Sequence, residues 1–143
     1  MKTIIAGSRK INFMNYKGEV DELKYKMLEN IIKEINCKIT KVISGGARGI
    51  DTFAIEYAKR NNLPVDIYMA NWELYGKKAG SIRNCEMSKQ GECLIAIWDG
   101  ESRGTKHMID IAKEGGLLVY TYNINNKENK LNVYQKENLG SLF

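Results

Sequence analysis

The sequence predicts an α/β protein in which a mostly parallel, five-stranded sheet is covered by helices on both faces. Short apolar segments alternate along the chain with segments whose apolar residues recur every three or four positions. That order is typical of parallel sheets, because each parallel strand needs a crossover helix to reach the next one. The apolar segments also lack the in–out alternation of a strand with one wet face. With 143 residues and 43% hydrophobic residues, the chain suits one such domain.

In the first half of the chain, two strands and two helices are predicted. Lys2–Ala6 is an apolar run ended by Gly7, and Lys41–Ser44 is a second run ended by a glycine pair. A helix is predicted over residues 18–35, where apolar side chains recur at helical spacing: Val20, Leu23, Met27, Leu28, Ile31 and Ile35. A second helix over residues 50–61 is indicated by the same spacing at Ile50, Phe53, Ala54, Tyr57 and Ala58.

The second half continues the alternation. The predicted strands are Val65–Met69, opened by a proline, then the continuous apolar run Cys93–Trp98, then Leu117–Tyr122. The predicted helices are Ala79–Lys89, stopped at Gly91, and a segment marked by Thr105, Met108, Ile109 and Ala112 that ends at Gly115-Gly116. Residues 1–122 are therefore taken as the domain. Residues 123–143 are a polar extension, in which Leu131–Gln135 forms either an extra antiparallel strand or a loose tail.

Composition excludes several classes of protein. No apolar run approaches the ~20 residues that span a bilayer, and no signal peptide follows Met1, so a cytoplasmic protein without membrane contact is expected. Three scattered cysteines (Cys37, Cys85 and Cys93) make neither a disulfide framework nor a zinc site. We expect no metal and no resident cofactor. The net charge of +5 favours an anionic partner only weakly.

Arginine placement is more informative than net charge. Three predicted strands are followed by glycine-bearing segments that each carry one arginine: Gly7-Ser8-Arg9, Gly45-Gly46-Ala47-Arg48-Gly49-Ile50-Asp51, and Asp99-Gly100-Glu101-Ser102-Arg103-Gly104-Thr105. Ligands of open parallel sheets bind beyond the carboxyl ends of the strands, where helix N-termini offer unpaired N–H groups to an anion. A single such loop is more often only a tight turn. Neither a Walker loop nor a Gly-x-Gly-x-x-Gly fingerprint occurs, which argues against a common NTPase or dehydrogenase.

At these residues the sequence resembles the SLOG superfamily of Rossmann-like domains, which are three-layer α/β sandwiches, and in particular its small stand-alone YspA-like branch. The resemblance spans about residues 4–121. It rests on the three segments above, on Trp72 with Tyr75-Gly76, and on Ala79-Gly80-Ser81-Ile82-Arg83-Asn84 with Met87. The resemblance implies a pocket for a nucleotide or a nucleotide- or NAD-derived signal, self-association into dimers or larger rings, and a role in phage or bacterial defence or counter-defence. The ligand-binding residues it implies are Gly7, Ser8, Arg9, Gly45, Gly46, Ala47, Arg48, Gly49, Asp51, Trp72, Arg83, Asn84, Met87, Asp99, Gly100, Ser102, Arg103, Gly104 and Thr105.

One departure from the resembling family concerns its chemistry. LOG-type phosphoribohydrolases carry a glutamate where this chain has Met108, and a thioether cannot act as a general acid or base. Binding without turnover is therefore the leading hypothesis, with the signal sequestered or reported through oligomerisation. The alternative is hydrolysis of an N-glycosidic bond, for which Asp99 or Glu86 are the candidate catalytic carboxylates. A second alternative is single-stranded nucleic-acid binding of the DprA type. The sequence shows no continuous basic stripe, which makes this alternative less favourable.

Three residues carry competing interpretations. Asp51 either interacts with a helix dipole or accepts a ribose hydroxyl. Trp72 is either a core anchor or a platform for base stacking. His107, the single histidine, is expected to face solvent or a partner.

Overall fold

The computed structural model describes residues 1–128 and 130–136. Its strands are β1 (Lys2–Gly7), β2 (Lys41–Ser44), β3 (Val65–Ile67), β4 (Cys93–Trp98), β5 (Leu118–Asn123) and β6 (Leu131–Tyr134). Its helices are α1 (Glu22–Glu34), α2 (Ile50–Arg60), α3 (Trp72–Tyr75), α4 (Ala79–Gln90) and α5 (Arg103–Glu114), with a 3-10 turn, Gly76–Lys78, between α3 and α4.

The strands form one sheet in the order β3-β2-β1-β4-β5-β6. The first five are parallel, which confirms the predicted α/β sandwich with a mostly parallel sheet. The sixth strand, β6, pairs antiparallel with β5, from Tyr122 opposite Leu131 to Val119 opposite Tyr134. Of the two interpretations of Leu131–Gln135, the extra antiparallel strand is therefore correct. Residues 137–143 of the predicted extension lie outside the described residues.

Helices cover both faces of the sheet. Helices α1 and α2 pack on one face, against Ile5 of β1 and Ile95 of β4 among others, and α4 and α5 pack on the other face, against Ile4 and Leu94. Neighbouring residues of one strand thus enter opposite cores, as the pleat requires. Because both faces are buried, β4 reads as a continuous apolar run without alternation.

Side-chain caps set several element bounds that periodicity placed elsewhere. Helix α1 begins at Glu22 rather than at residue 18, because Asp21 accepts hydrogen bonds from the amides of Leu23 and Lys24. The segment Trp72–Lys78, over which no helix is predicted from the sequence, is helical, and Asn71 caps it by accepting from the amide of Leu74. None of the described helices is both long and apolar enough to cross a lipid bilayer.

Candidate functional site

The order of the strands in the sheet reverses between β1 and β4, which are paired up to Gly7. From β1 the chain proceeds to β2 on one side, whereas β4 lies on the other side. A narrow cavity of about 60 Å³ opens there, at the position where open parallel sheets bind their ligands. We call it the central cleft. It is lined by Ala6, Gly7, Arg9, Ala47, Asp51, Arg83, Asn84, Met87, Ser102, Gly104, Thr105 and Met108.

Two wider cavities adjoin the central cleft, and Arg9 lines all three. The first, which we call the Trp72 cavity, has a volume of about 270 Å³ and is lined by Arg9, Gly45, Gly46, Ala47, Arg48, Met69, Ala70, Trp72 and Arg83. The second, the Phe13 cavity, has about 360 Å³ and is lined by Arg9, Lys10, Asn12, Phe13, Met14, Arg48, Gly49 and Thr52. The loops after β1 and β2 and the helix α4 therefore bring three of the predicted arginines, Arg9, Arg48 and Arg83, to one connected depression.

Arg83 is the most firmly held of these arginines. Its Nη1 donates to the carbonyl of Gly45 at 2.7 Å and its Nε donates to Oδ1 of Asn84 at 3.2 Å. A guanidinium carries five N–H groups, so three of them have no partner within the described part of the chain. Burial lowers the pKa of Arg83, with the neighbouring Arg9 adding to that effect and Asp51 opposing it. Unpaired donors on a partly buried cation are suited to binding an oxyanion.

Among the described residues that line the three cavities, Asp51 is the one acid, and it lines the central cleft. Only 6% of the residue is exposed, and its Oδ2 accepts from the amide of Ala47 at 3.2 Å. Burial raises its pKa, against the opposing effects of that hydrogen bond and of Arg83 and Arg9. The carboxylate therefore both shapes the loop after β2 and presents an acceptor to the cleft.

Two glycines allow close approach within this loop. A Cβ on Gly45 would lie 2.7 Å from Oδ2 of Asp51 and 2.8 Å from Nη1 of Arg83. Gly49 has a φ of 78°, and a Cβ there would lie 2.4 Å from the carbonyl oxygen of Ser8. A side chain at Gly45 would thus displace Asp51 and Arg83, and one at Gly49 would push the loop after β2 away from the loop after β1.

The helices that begin at the central cleft have no side-chain cap. Gly49 precedes α2 and Ser102 precedes α5, and neither makes a side-chain capping bond. The first-turn amides of both helices therefore receive no hydrogen bond from a capping side chain, and each helix start carries a partial positive charge.

Some predicted residues lie away from the cleft. Asp99 caps the turn before α5: its Oδ1 accepts from the amides of Glu101 and Ser102, both at 2.8 Å, and these bonds lower its pKa. Gly100, Arg103 and the exposed Glu86 line none of the cavities described above. Ser8 is fully buried, and its Oγ accepts from the amide of Asp99 at 3.1 Å, so it ties β1 to β4 instead of lining the cleft.

Other residues occupy positions that the sequence interpretation misjudged or missed. Trp72 is 52% exposed at the edge of its cavity, so its interpretation as a core anchor is wrong. His107, expected to face solvent or a partner, is half-buried with its Nδ1 3.1 Å from Nδ2 of Asn84, and the partner contact stays a prediction. Met69 and Asn12 were missed as lining residues. The available signal for Met69 was its place just after β3, at the edge where the other loops meet.

The cleft lacks the ligands of a metal centre. Among the described residues, no three His, Cys, Asp or Glu side chains are grouped as metal ligands would be. Its floor is apolar, with Met87 and Met108 both nearly fully buried. The arrangement can hold an anion, and Asp51 can accept hydrogen bonds from hydroxyl groups beside it.

Comparisons with known proteins relate the chain to a phage protein. No family model and no solved structure matches the chain. The Gene 61 protein of Mycobacterium phage D29 is 37% identical over 87 residues, which represent 57% of this chain and 70% of that protein. On this likeness, the chain belongs to the same family as the phage D29 Gene 61 protein.

Proposed function

We propose that the protein binds a nucleotide or a nucleotide-derived small molecule, by its phosphate, at the connected depression formed by the three cavities. The observation that carries this proposal is the convergence of Arg9, Arg48 and Arg83 on one depression, without an ion pair to any described acid. Placing like charges together is unfavourable unless an anion joins them.

The surroundings of the arginines favour a nucleotide over a bare anion. Met69 and Trp72 provide an apolar wall beside the cations, and aromatic faces stack on any base. Asp51 lies where an acceptor can bind sugar hydroxyls while the arginines hold the phosphate. Membership in the SLOG superfamily and self-association belong to the same proposal and rest on the sequence resemblance. Sedimentation velocity with and without ligand tests the self-association.

Calorimetry against inorganic phosphate, AMP, cyclic nucleotides, ADP and ADP-ribose tests the proposal directly. At least one of these compounds is expected to bind more tightly than 1 mM. Arg83→Ala should weaken that binding roughly 10- to 150-fold, the equivalent of hydrogen bonds to a charged group. Binding weaker than millimolar for the whole panel, or an unchanged affinity in Arg83→Ala, overturns the proposal.

Arg103→Ala is the matched control. It removes the same side chain from the start of α5, where the arginine lines none of the three cavities. Its affinity is expected to stay within about twofold of the unsubstituted protein, since an exposed charge is screened by salt.

Hydrolysis of an N-glycosidic bond remains the second candidate because of Asp51. A buried carboxyl with a raised pKa is suited to proton transfer, and this one lies in the central cleft. Asp99 and Glu86 are less suited to the catalytic role, because Asp99 caps the turn before α5 and Glu86 is exposed and lines none of the three cavities. Chromatography after long incubation with each nucleotide decides the matter. A free base that disappears with Asp51→Asn supports hydrolysis, and no product from any compound rejects it.

A further inference from the structure

The side-chain amide of Asn84 joins three groups at the edge of the central cleft. Its Oδ1 lies 3.2 Å from Nε of Arg83. Its Nδ2 lies 3.1 Å from Nδ1 of His107 and 3.4 Å from the carbonyl oxygen of Gly104. Only 6% of Asn84 is exposed, so its amide exchanges few of these contacts for water. The amide therefore connects α4 to the first turns of α5.

Donor and acceptor chemistry fixes the direction of every bond in this group. The Nε of arginine can only donate, so the amide atom that faces it must be the oxygen. The amide nitrogen then faces Nδ1 of His107, and an amide nitrogen can only donate. Nδ1 must therefore carry its lone pair, and the single proton of the neutral imidazole lies on Nε2.

We propose that His107 is a positioning residue for Arg83, acting through Asn84. An acceptor at His107 holds the amide in one orientation, and the amide oxygen then holds the Arg83 guanidinium with its unpaired N–H groups available to an anion. This inference rests on the proposed function, since it deepens the account of the same site. A proton on Nδ1 would place N–H against N–H, so the amide would have to turn and Arg83 would lose its Nε acceptor.

The charged groups around His107 come from few elements. The charged residues of α4 are Arg83, Glu86 and Lys89, and Arg9 and Asp51 line the same cleft as Asn84. On α5 itself, Arg103 and Lys106 precede the histidine and Asp110 follows it, with Lys106 and Asp110 paired at 2.8 Å. The strands β4 and β5 contain no charged residue. Asn84 is therefore the direct partner that a change of protonation at His107 would disturb.

Nuclear magnetic resonance tests the arrangement without any ligand. The chain has one histidine, so its ring nitrogen signals are unambiguous. At pH 7.5, long-range ¹H–¹⁵N correlation is expected to show the tautomer protonated on Nε2. Hydrogen exchange of the Arg83 Nε–H should become roughly three- to tenfold faster in His107→Leu, the equivalent of one hydrogen bond. His107→Gln, whose side chain keeps a carbonyl acceptor, should restore part of the protection.

Titration with inorganic phosphate at the same pH separates this inference from the proposed function. If the phosphate site and the positioning role are both correct, phosphate shifts the Arg83 Nε signal. His107→Leu then weakens phosphate binding roughly three- to tenfold, and His107→Gln weakens it less. A ring protonated on Nδ1, or Arg83 exchange that is unchanged in His107→Leu, overturns the positioning role. If phosphate leaves Arg83 unaffected but the exchange responds as expected, the proposed phosphate site fails and the positioning role stands. The tautomer is read on the unsubstituted protein, so a variant that misfolds does not prevent the test.

Discussion

Gly45 offers a sharp test of how the cleft is built. In Gly45→Ala the new methyl group would lie 2.7 Å from Oδ2 of Asp51, 2.8 Å from Nη1 of Arg83 and 3.0 Å from its Cζ. Contacts this short force the neighbours to move, and overpacking of this kind costs about 1–3 kcal/mol. For a chain of this size the melting temperature falls by about 4 °C per kcal/mol, so a decrease of about 4–12 °C is expected. The same displacement breaks the 2.7 Å bond from Arg83 to the Gly45 carbonyl.

Ligand binding should weaken as well as stability. Once Arg83 leaves the Gly45 carbonyl, its free N–H groups no longer point at a fixed position, and affinity for phosphate or AMP should fall roughly tenfold, as for one charge-assisted hydrogen bond. Gly104→Ala is the matched control for stability alone, because a Cβ there meets no atom within 4 Å, whereas the residue itself lines the central cleft. Its melting temperature should be unchanged or slightly higher, since alanine is the better helix former. Thermal melting of both variants, and calorimetry of Gly45→Ala against the unsubstituted protein, check this; an unchanged melting temperature with an unchanged affinity would refute the reasoning.

Three further predictions concern the same region. Asp51→Asn should raise the free energy of unfolding at neutral pH, as measured by urea unfolding. Burial raises the pKa of Asp51, so the stability that this carboxyl contributes is fully present below its unfolded-state pKa and is lost as pH rises through its folded-state pKa. A stability gain in the variant that does not shrink on acidification contradicts this. The same variant should bind phosphate more tightly, and nucleosides less tightly if the carboxylate holds ribose. Trp72→Ala should leave the melting temperature within about 2 °C, because the side chain is half exposed. It should weaken AMP binding about 5- to 150-fold and leave the affinity for phosphate unchanged. Equal losses of affinity for both ligands would exclude stacking. Ser8→Ala should destabilise by about 1–3 kcal/mol in urea unfolding, because the buried amide of Asp99 loses its acceptor; an unchanged midpoint would show that water replaces the hydroxyl.

Sequence periodicity located the strands and helices well wherever burial controls the pattern. The run Cys93–Trp98 is buried on both faces, so it is apolar throughout and its bounds coincide with those of β4. Errors occurred where a polar side chain sets the boundary. Asp21 and Asn71 each begin a helix by accepting backbone N–H bonds, and such caps carry little apolar signal.

The candidate site was predicted less evenly than the fold. Glycine and arginine at strand ends indicated Arg9 and Arg48, because the carboxyl ends of parallel strands meet at one edge, whereas Arg83, on α4, was indicated by the family resemblance. The same signal also selected Asp99, which caps the turn before α5, and Arg103, which lines none of the three cavities. The local sequence predicts where the backbone of each loop lies, whereas the direction of each side chain depends on how the loop packs against its neighbours.

The sequence by itself determined the alternation of strands and helices, because the apolar pattern records which faces must leave water. It also determined that cationic, glycine-bearing loops follow β1, β2 and β4. Only the tertiary structure decided that three of the guanidiniums share one depression, that Asp51 is buried beside them, and that Asn84 connects Arg83 to His107. These relations join residues from separate elements, and their distances depend on strand order and helix packing, which no local pattern encodes.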